Sequence, residues 1–109
     1  MRPELPAAIS AYFDALNTGR AGDASRQFRP DGVVRDESRT HVGHEAIRGW
    51  AEDALKRYRM KSQVLEFTAE GEGCIVKARV SGDFAGSPLD FTYRFELAND
   101  GVKMLEIGL

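Results

Sequence analysis

Apolar positions follow two different periods along this chain, one before Lys61 and another after it. Ile9, Tyr12, Phe13 and Leu16 fall at i, i+3, i+4 and i+7, which gathers them on one face of a helix. Pro3 and Pro6 stand before that helix or in its first turn, where a missing N–H costs nothing, and Gly19 stands where a left-handed residue would end it. A shorter helix is predicted from Asp23 to Phe28, with Asp23 as its cap. "RPDG", from Arg29 to Gly32, reads as a turn into a short strand, "VVRD". The clearest helix runs from His44 to Arg59. Ile47, Trp50, Ala51, Ala54 and Tyr58 share one face of it, and Arg48, Glu52, Lys56 and Arg59 the other. Gly49 interrupts this helix and suggests close packing.

Beyond Lys61 the period falls to two. Leu65, Phe67 and Ala69 alternate with Glu66, Thr68 and Glu70, and Cys74, Val76, Ala78 and Val80 line one face of the next strand. Leu89, Phe91, Tyr93, Phe95 and Leu97 do the same in "LDFTYRFEL", and "VKMLEIGL" forms a last strand. Turns are expected at "EGEG", "AGSP" and "NDG". Helices first and an antiparallel meander afterwards predict an α+β fold, with the helices on one face of a sheet that must curl around them. Curling of this kind leaves a cavity at the open end.

Composition narrows the function. The 109 residues fit one domain, 1–109, and 42% hydrophobic with 29% charged residues is ordinary for a globular protein. A net charge of −2 gives no reason to expect a nucleic-acid or membrane-surface partner. Cys74 is alone, so neither a disulfide nor a cysteine-based metal framework is expected. The N-terminal "MRPELPAAIS" has no apolar run and no window reaches transmembrane length, so a cytoplasmic location is expected. Gly-x-Ser-x-Gly, phosphate-loop and dinucleotide motifs are missing, and no cofactor is expected.

The stretch "DGVVRDESRTHVGHEAIRGW", with "GDFAGSPLDFTYRFELANDGVKMLEI" near the C-terminus, resembles the SnoaL-like proteins of the nuclear transport factor two-like superfamily. That resemblance implies a cone: a curved, mostly antiparallel sheet wrapped around three N-terminal helices. It spans isomerases, cyclases, hydratases and non-catalytic adaptors. The steroid isomerases of this fold use an aspartate base on the short strand and a tyrosine donor on the first helix, positions that Asp36 and Tyr12 match here. They also hold a second, protonated aspartate on a later strand. Phe91 falls at that position in this chain, and Asp90 faces the other side.

Each candidate has a plain structural alternative. Asp36 beside Glu37 and Ser38 is an ordinary turn acid, yet alternation puts it on the same side as Val34, so it faces a cavity if Val34 faces the core. Tyr12 is a core aromatic or a pocket donor. His41 is a candidate pocket hydrogen-bonder, whereas His44 is expected on the surface at a helix start. With Gly43 between the two histidines, no metal site is expected. Phe28, Val34, Trp50 and Phe91 are placed on the pocket wall.

Two functions follow. One is a cofactor-free isomerase or cyclase moving a proton on an apolar carbonyl compound, with Asp36 as base, Tyr12 as donor and His41 assisting. The other is a ligand-binding or dimerisation module without catalysis. A homodimer is expected in either case, because Ile75, Val102 and Met104 would otherwise carry an apolar strand face into solvent.

Overall fold

The computed structural model describes residues 5–109, so Pro3 lies outside the described residues. Its elements are α1 (Ala7–Asn17), α2 (Ala21–Ser25), β1 (Phe28–Asp36), β2 (Arg39–Val42), α3 (His44–Tyr58), β3 (Lys61–Glu70), β4 (Gly73–Ser81), β5 (Leu89–Ala98) and β6 (Gly101–Gly108). The six strands form one mixed sheet in the order β2-β1-β6-β5-β4-β3, antiparallel throughout except between β1 and β6. This is the expected α+β cone. No described helix is long and apolar enough to cross a membrane.

The helix stripes become the core. Ile9, Tyr12, Phe13, Ala15 and Leu16 of α1 are all buried, and Gly19 follows the helix at φ +73°, the left-handed geometry expected of it. The α3 stripe divides into two rows: Ile47 and Ala51 are buried, whereas Trp50, Ala54 and Tyr58, at i, i+4 and i+8, remain half-exposed. The helix ends at Tyr58, with Arg59 in the left-handed conformation.

Several expectations are corrected. The second helix is only Ala21–Ser25, and Asp23 sits inside its first turn instead of capping it. Its carboxylate pairs with the Arg20 and Arg26 guanidinium groups. Phe28 belongs to β1, where it is buried beside Tyr12 at a ring separation of 6.0 Å. "RPDG" is a bulge within β1, because Arg29–Gly32 lie opposite the single residue Lys103 of β6. Gly32 permits this fold-back, since a β-carbon there would stand 2.8 Å from that of Phe28. His44 is half-buried, and its Nε2 lies 2.7 Å from the Phe28 carbonyl, which can only accept, so that nitrogen donates and ties α3 to the bulge.

Two further bulges break the period of two. Leu65 is the extra residue in β3, so Val64 and Phe67, three apart, both pack on the core, while Ala69 is exposed. Lys103 is the extra residue in β6, so Val102 and Leu105 both point inward and are fully buried. Val102 therefore leaves the outer apolar face, which keeps Ile75 and Met104. Strand β2 was unexpected. It pairs with β1 through a two-residue turn, Glu37 at φ 52° and Ser38 at φ 64°, the primed geometry that matches strand twist.

Gly49 is not a close-packing site either. It is exposed, and a β-carbon there would meet nothing within 4 Å. Gly49→Ala should therefore stabilise the protein by about 0.5–1 kcal/mol, since it removes backbone freedom from the unfolded chain at no steric cost. A denaturation midpoint that falls on this substitution would contradict the assignment.

Candidate functional site

The half-exposed row of α3 and the N-terminal half of β5 line a cavity of about 250 Å³. Trp50, Ala54 and Tyr58 form one wall, and Leu89, Phe91 and Tyr93, alternate residues of β5, form the other. Tyr12 and Leu16 of α1 line it as well. Asp36 and Glu37, from the end of β1 and its turn, supply the acids.

Asp36 is half-buried. Its Oδ2 accepts a hydrogen bond from the Trp50 indole Nε1 at 3.1 Å. Among the described residues it has no ion pair, because Arg35 and Arg39 stay exposed in the hairpin. Burial pushes its pKa above the ordinary aspartate value, and the charge of Glu37 adds to this. The Trp50 hydrogen bond, the proximity of His41 and a backbone hydrogen bond from Glu37 pull the other way. The indole thus holds one carboxylate oxygen without neutralising the charge.

Tyr12 is 1% exposed and its ring packs edge-on against Phe13, Phe28 and Phe95 at 5.1, 6.0 and 5.9 Å. Its hydroxyl finds no hydrogen-bond partner among the described residues. A buried hydroxyl left without a partner is costly, which marks it as a donor in want of an acceptor. Burial, with the neighbouring Tyr93 and the negative charge of Asp36, pushes its pKa well above the ordinary tyrosine value, so it stays protonated. The pKa of Tyr93 is pushed up to about 12, chiefly by burial.

The structure gathers Asp36, Tyr12, Trp50 and Phe91 around one cavity. Phe28 and Val34 do not line it. Both are buried in the core, Val34 completely, which is the condition under which Asp36 faces the cavity. His41 also lies outside the lining, with its ring 6.0 Å from that of Trp50. Asp90 faces the opposite side of the sheet, paired with Arg79 at 2.8 Å. Tyr58, Phe84 and Tyr93 are wall residues that sequence reasoning did not single out. The signals for two of them were present: Tyr58 lies two turns beyond Trp50, and Tyr93 lies two residues beyond Phe91 on the same strand face. A larger hollow of about 510 Å³ lies on the outer face of the sheet, near Ile75, Met104 and several exposed acids, and holds none of the candidate residues.

The sequence profile of the SnoaL-like domain matches residues 9–106. No curated protein matches the chain in sequence. A candidate polyketide cyclase from Sinorhizobium meliloti is 38% identical, with a TM-score of 0.91 over 95% of each chain. A protein of ketosteroid isomerase-like fold from Catenulispora acidiphila, solved with trimethylamine, is 16% identical, with a TM-score of 0.85 over 97% of this chain and 87% of its own. TerC co-crystallised with polyporic acid is 16% identical, with a TM-score of 0.81 over 94% and 88%. The last two likenesses concern the fold alone.

The raised pKa of Asp36 has a consequence for stability. An acid whose folded-state pKa exceeds its unfolded value holds more protons folded than unfolded between the two values. Stability is therefore lost as pH rises through that window, and the loss persists above it. Asp36→Asn should raise the unfolding temperature at neutral pH, with the gain vanishing below the ordinary carboxylate range. Equal unfolding temperatures for the two proteins at neutral pH would contradict a desolvated carboxylate.

Proposed function

The chain belongs to the SnoaL-like family, and from that premise we propose that it binds a compact, largely apolar carbonyl compound and moves a proton on it. One observation carries this reading: a half-buried carboxylate without a cation and a buried hydroxyl without a partner line the same cavity. Asp36 is the general base. With Oδ2 held by Trp50, Oδ1 is left to take a proton from the carbon beside the carbonyl. Tyr12 donates to the carbonyl oxygen as it gains negative charge. The proton then returns from Asp36 to another atom of the same molecule, so no cofactor is consumed. The likeness to a candidate polyketide cyclase favours this class of chemistry.

A second reading, binding without turnover, is favoured by the outward direction of Asp90 and its ion pair with Arg79. The donor set lacks the second acid that the steroid isomerases use. Identifying a co-purified or soaked ligand by mass spectrometry supplies the compound on which the two readings are compared. The catalytic reading predicts that Asp36→Asn folds and abolishes turnover, while Tyr12→Phe slows it roughly 10²–10³-fold, as for loss of one oxyanion donor. Turnover surviving in Asp36→Asn removes Asp36 as the base. Binding with no turnover in the unaltered protein selects the second reading.

We further propose a homodimer through the outer sheet face, where Ile75 and Met104 border the large hollow. Light scattering should give twice the 12.1 kDa chain mass at micromolar concentration, and Met104→Glu should shift it to one. A monomer in the unaltered protein would overturn this.

A further inference from the structure

The charge inside the cavity is all of one sign. Asp36 and Glu37 line it, and among the described residues no lysine, arginine or histidine does. Two basic side chains stand close by without lining it: the His41 ring lies 6.0 Å from that of Trp50, and the Arg57 guanidinium pairs with Asp53 at 3.4 Å, lies over the Tyr58 ring at 6.0 Å and feels the charge of Glu37. Half of the apolar lining is aromatic, namely Tyr12, Trp50, Tyr58, Phe84, Phe91 and Tyr93, and the other half is aliphatic. Such rings present a negative face that attracts organic cations, most strongly where water is excluded. Tyr12 adds a buried hydroxyl oxygen with no partner among the described residues.

From this arrangement we infer that the cavity selects a compact organic cation, a protonated amine carried on an apolar body, over neutral or anionic molecules of the same shape. The ammonium approaches Asp36, the apolar body lies against the aromatic walls, and an N–H is available to the Tyr12 oxygen. The same cation would relieve the cost of holding a carboxylate half out of water. An anion meets two carboxylates and no lysine, arginine or histidine in the lining. A volume of about 250 Å³ admits a single small ring.

The inference rests on the proposal that this cavity holds the ligand. It does not depend on whether Asp36 transfers a proton.

Cyclohexylamine, cyclohexanol and cyclohexanecarboxylate form a matched set of cation, neutral and anion at neutral pH. Binding to the whole protein can be followed by calorimetry and by the fluorescence of its single tryptophan, Trp50, which stands in the cavity wall. The amine should bind roughly tenfold more tightly than the alcohol, and the carboxylate should not bind. In Asp36→Asn the amine should lose that advantage. Cyclohexanol binding as tightly as the amine overturns the charge selection while leaving a neutral-ligand cavity standing. A preference for the amine that persists in Asp36→Asn overturns the role of the carboxylate. Binding by none of the three at millimolar concentration overturns the inference, whatever the outcome of the turnover test.

Discussion

Three helices and a single layer of sheet share one core only if the sheet curls around them, and in this chain extra residues within the strands supply the curl. Arg29–Gly32 opposite Lys103, Leu65 in β3 and Lys103 in β6 each interrupt a ladder, and each bends its strand more tightly. Their effect on packing is direct. Val64 and Phe67, and likewise Val102 and Leu105, face inward although three residues separate them. The curl brings the strands onto α1, and α3 covers one end less completely. The cavity occupies that end.

The same geometry fixes the chemistry of Asp36. The residue terminates β1 at the mouth of the cone, where the sheet and α3 remove part of its water and offer an indole N–H in place of a cation. An ion pair would hold the carboxylate in its charged form and weaken it as a base. Two neutral donors, the Trp50 indole and the Glu37 backbone, hold it, while burial keeps its basicity raised. Tyr12 approaches from beneath on α1, locked by the rings of Phe13, Phe28 and Phe95. A half-buried carboxylate, a buried hydroxyl and a partly aromatic wall thus arise from the way a cone closes.

Much of this was legible in the sequence. The stripes of α1 and α3 and the alternation in β4 and β5 are long enough to specify their elements, and placing Val34 in the core places Asp36 in the cavity. Strand β2 was not legible. "RTHV" has no apolar alternation, and the turn before it uses Glu37 and Ser38 at positive φ, where glycine or asparagine would have signalled a hairpin. Nor were the bulges, since strict alternation sent Val102 outward. The Trp50–Asp36 hydrogen bond depends on how α3 crosses the end of β1, which no local pattern encodes. Phe28 was misplaced because a helix was extended through a residue that the sheet claims.

The central claim is that the Asp36 carboxyl is held partly out of water with no ion pair among the described residues. Carbon-detected NMR of the aspartate carboxyl groups, assigned by comparison with Asp36→Asn, measures its titration directly. The account predicts a midpoint above the ordinary aspartate value, moving higher still in Trp50→Phe as the lowering hydrogen bond is lost. A midpoint at or below that value, unmoved by Trp50→Phe, would place the carboxylate in bulk water or against a cation and contradict the account.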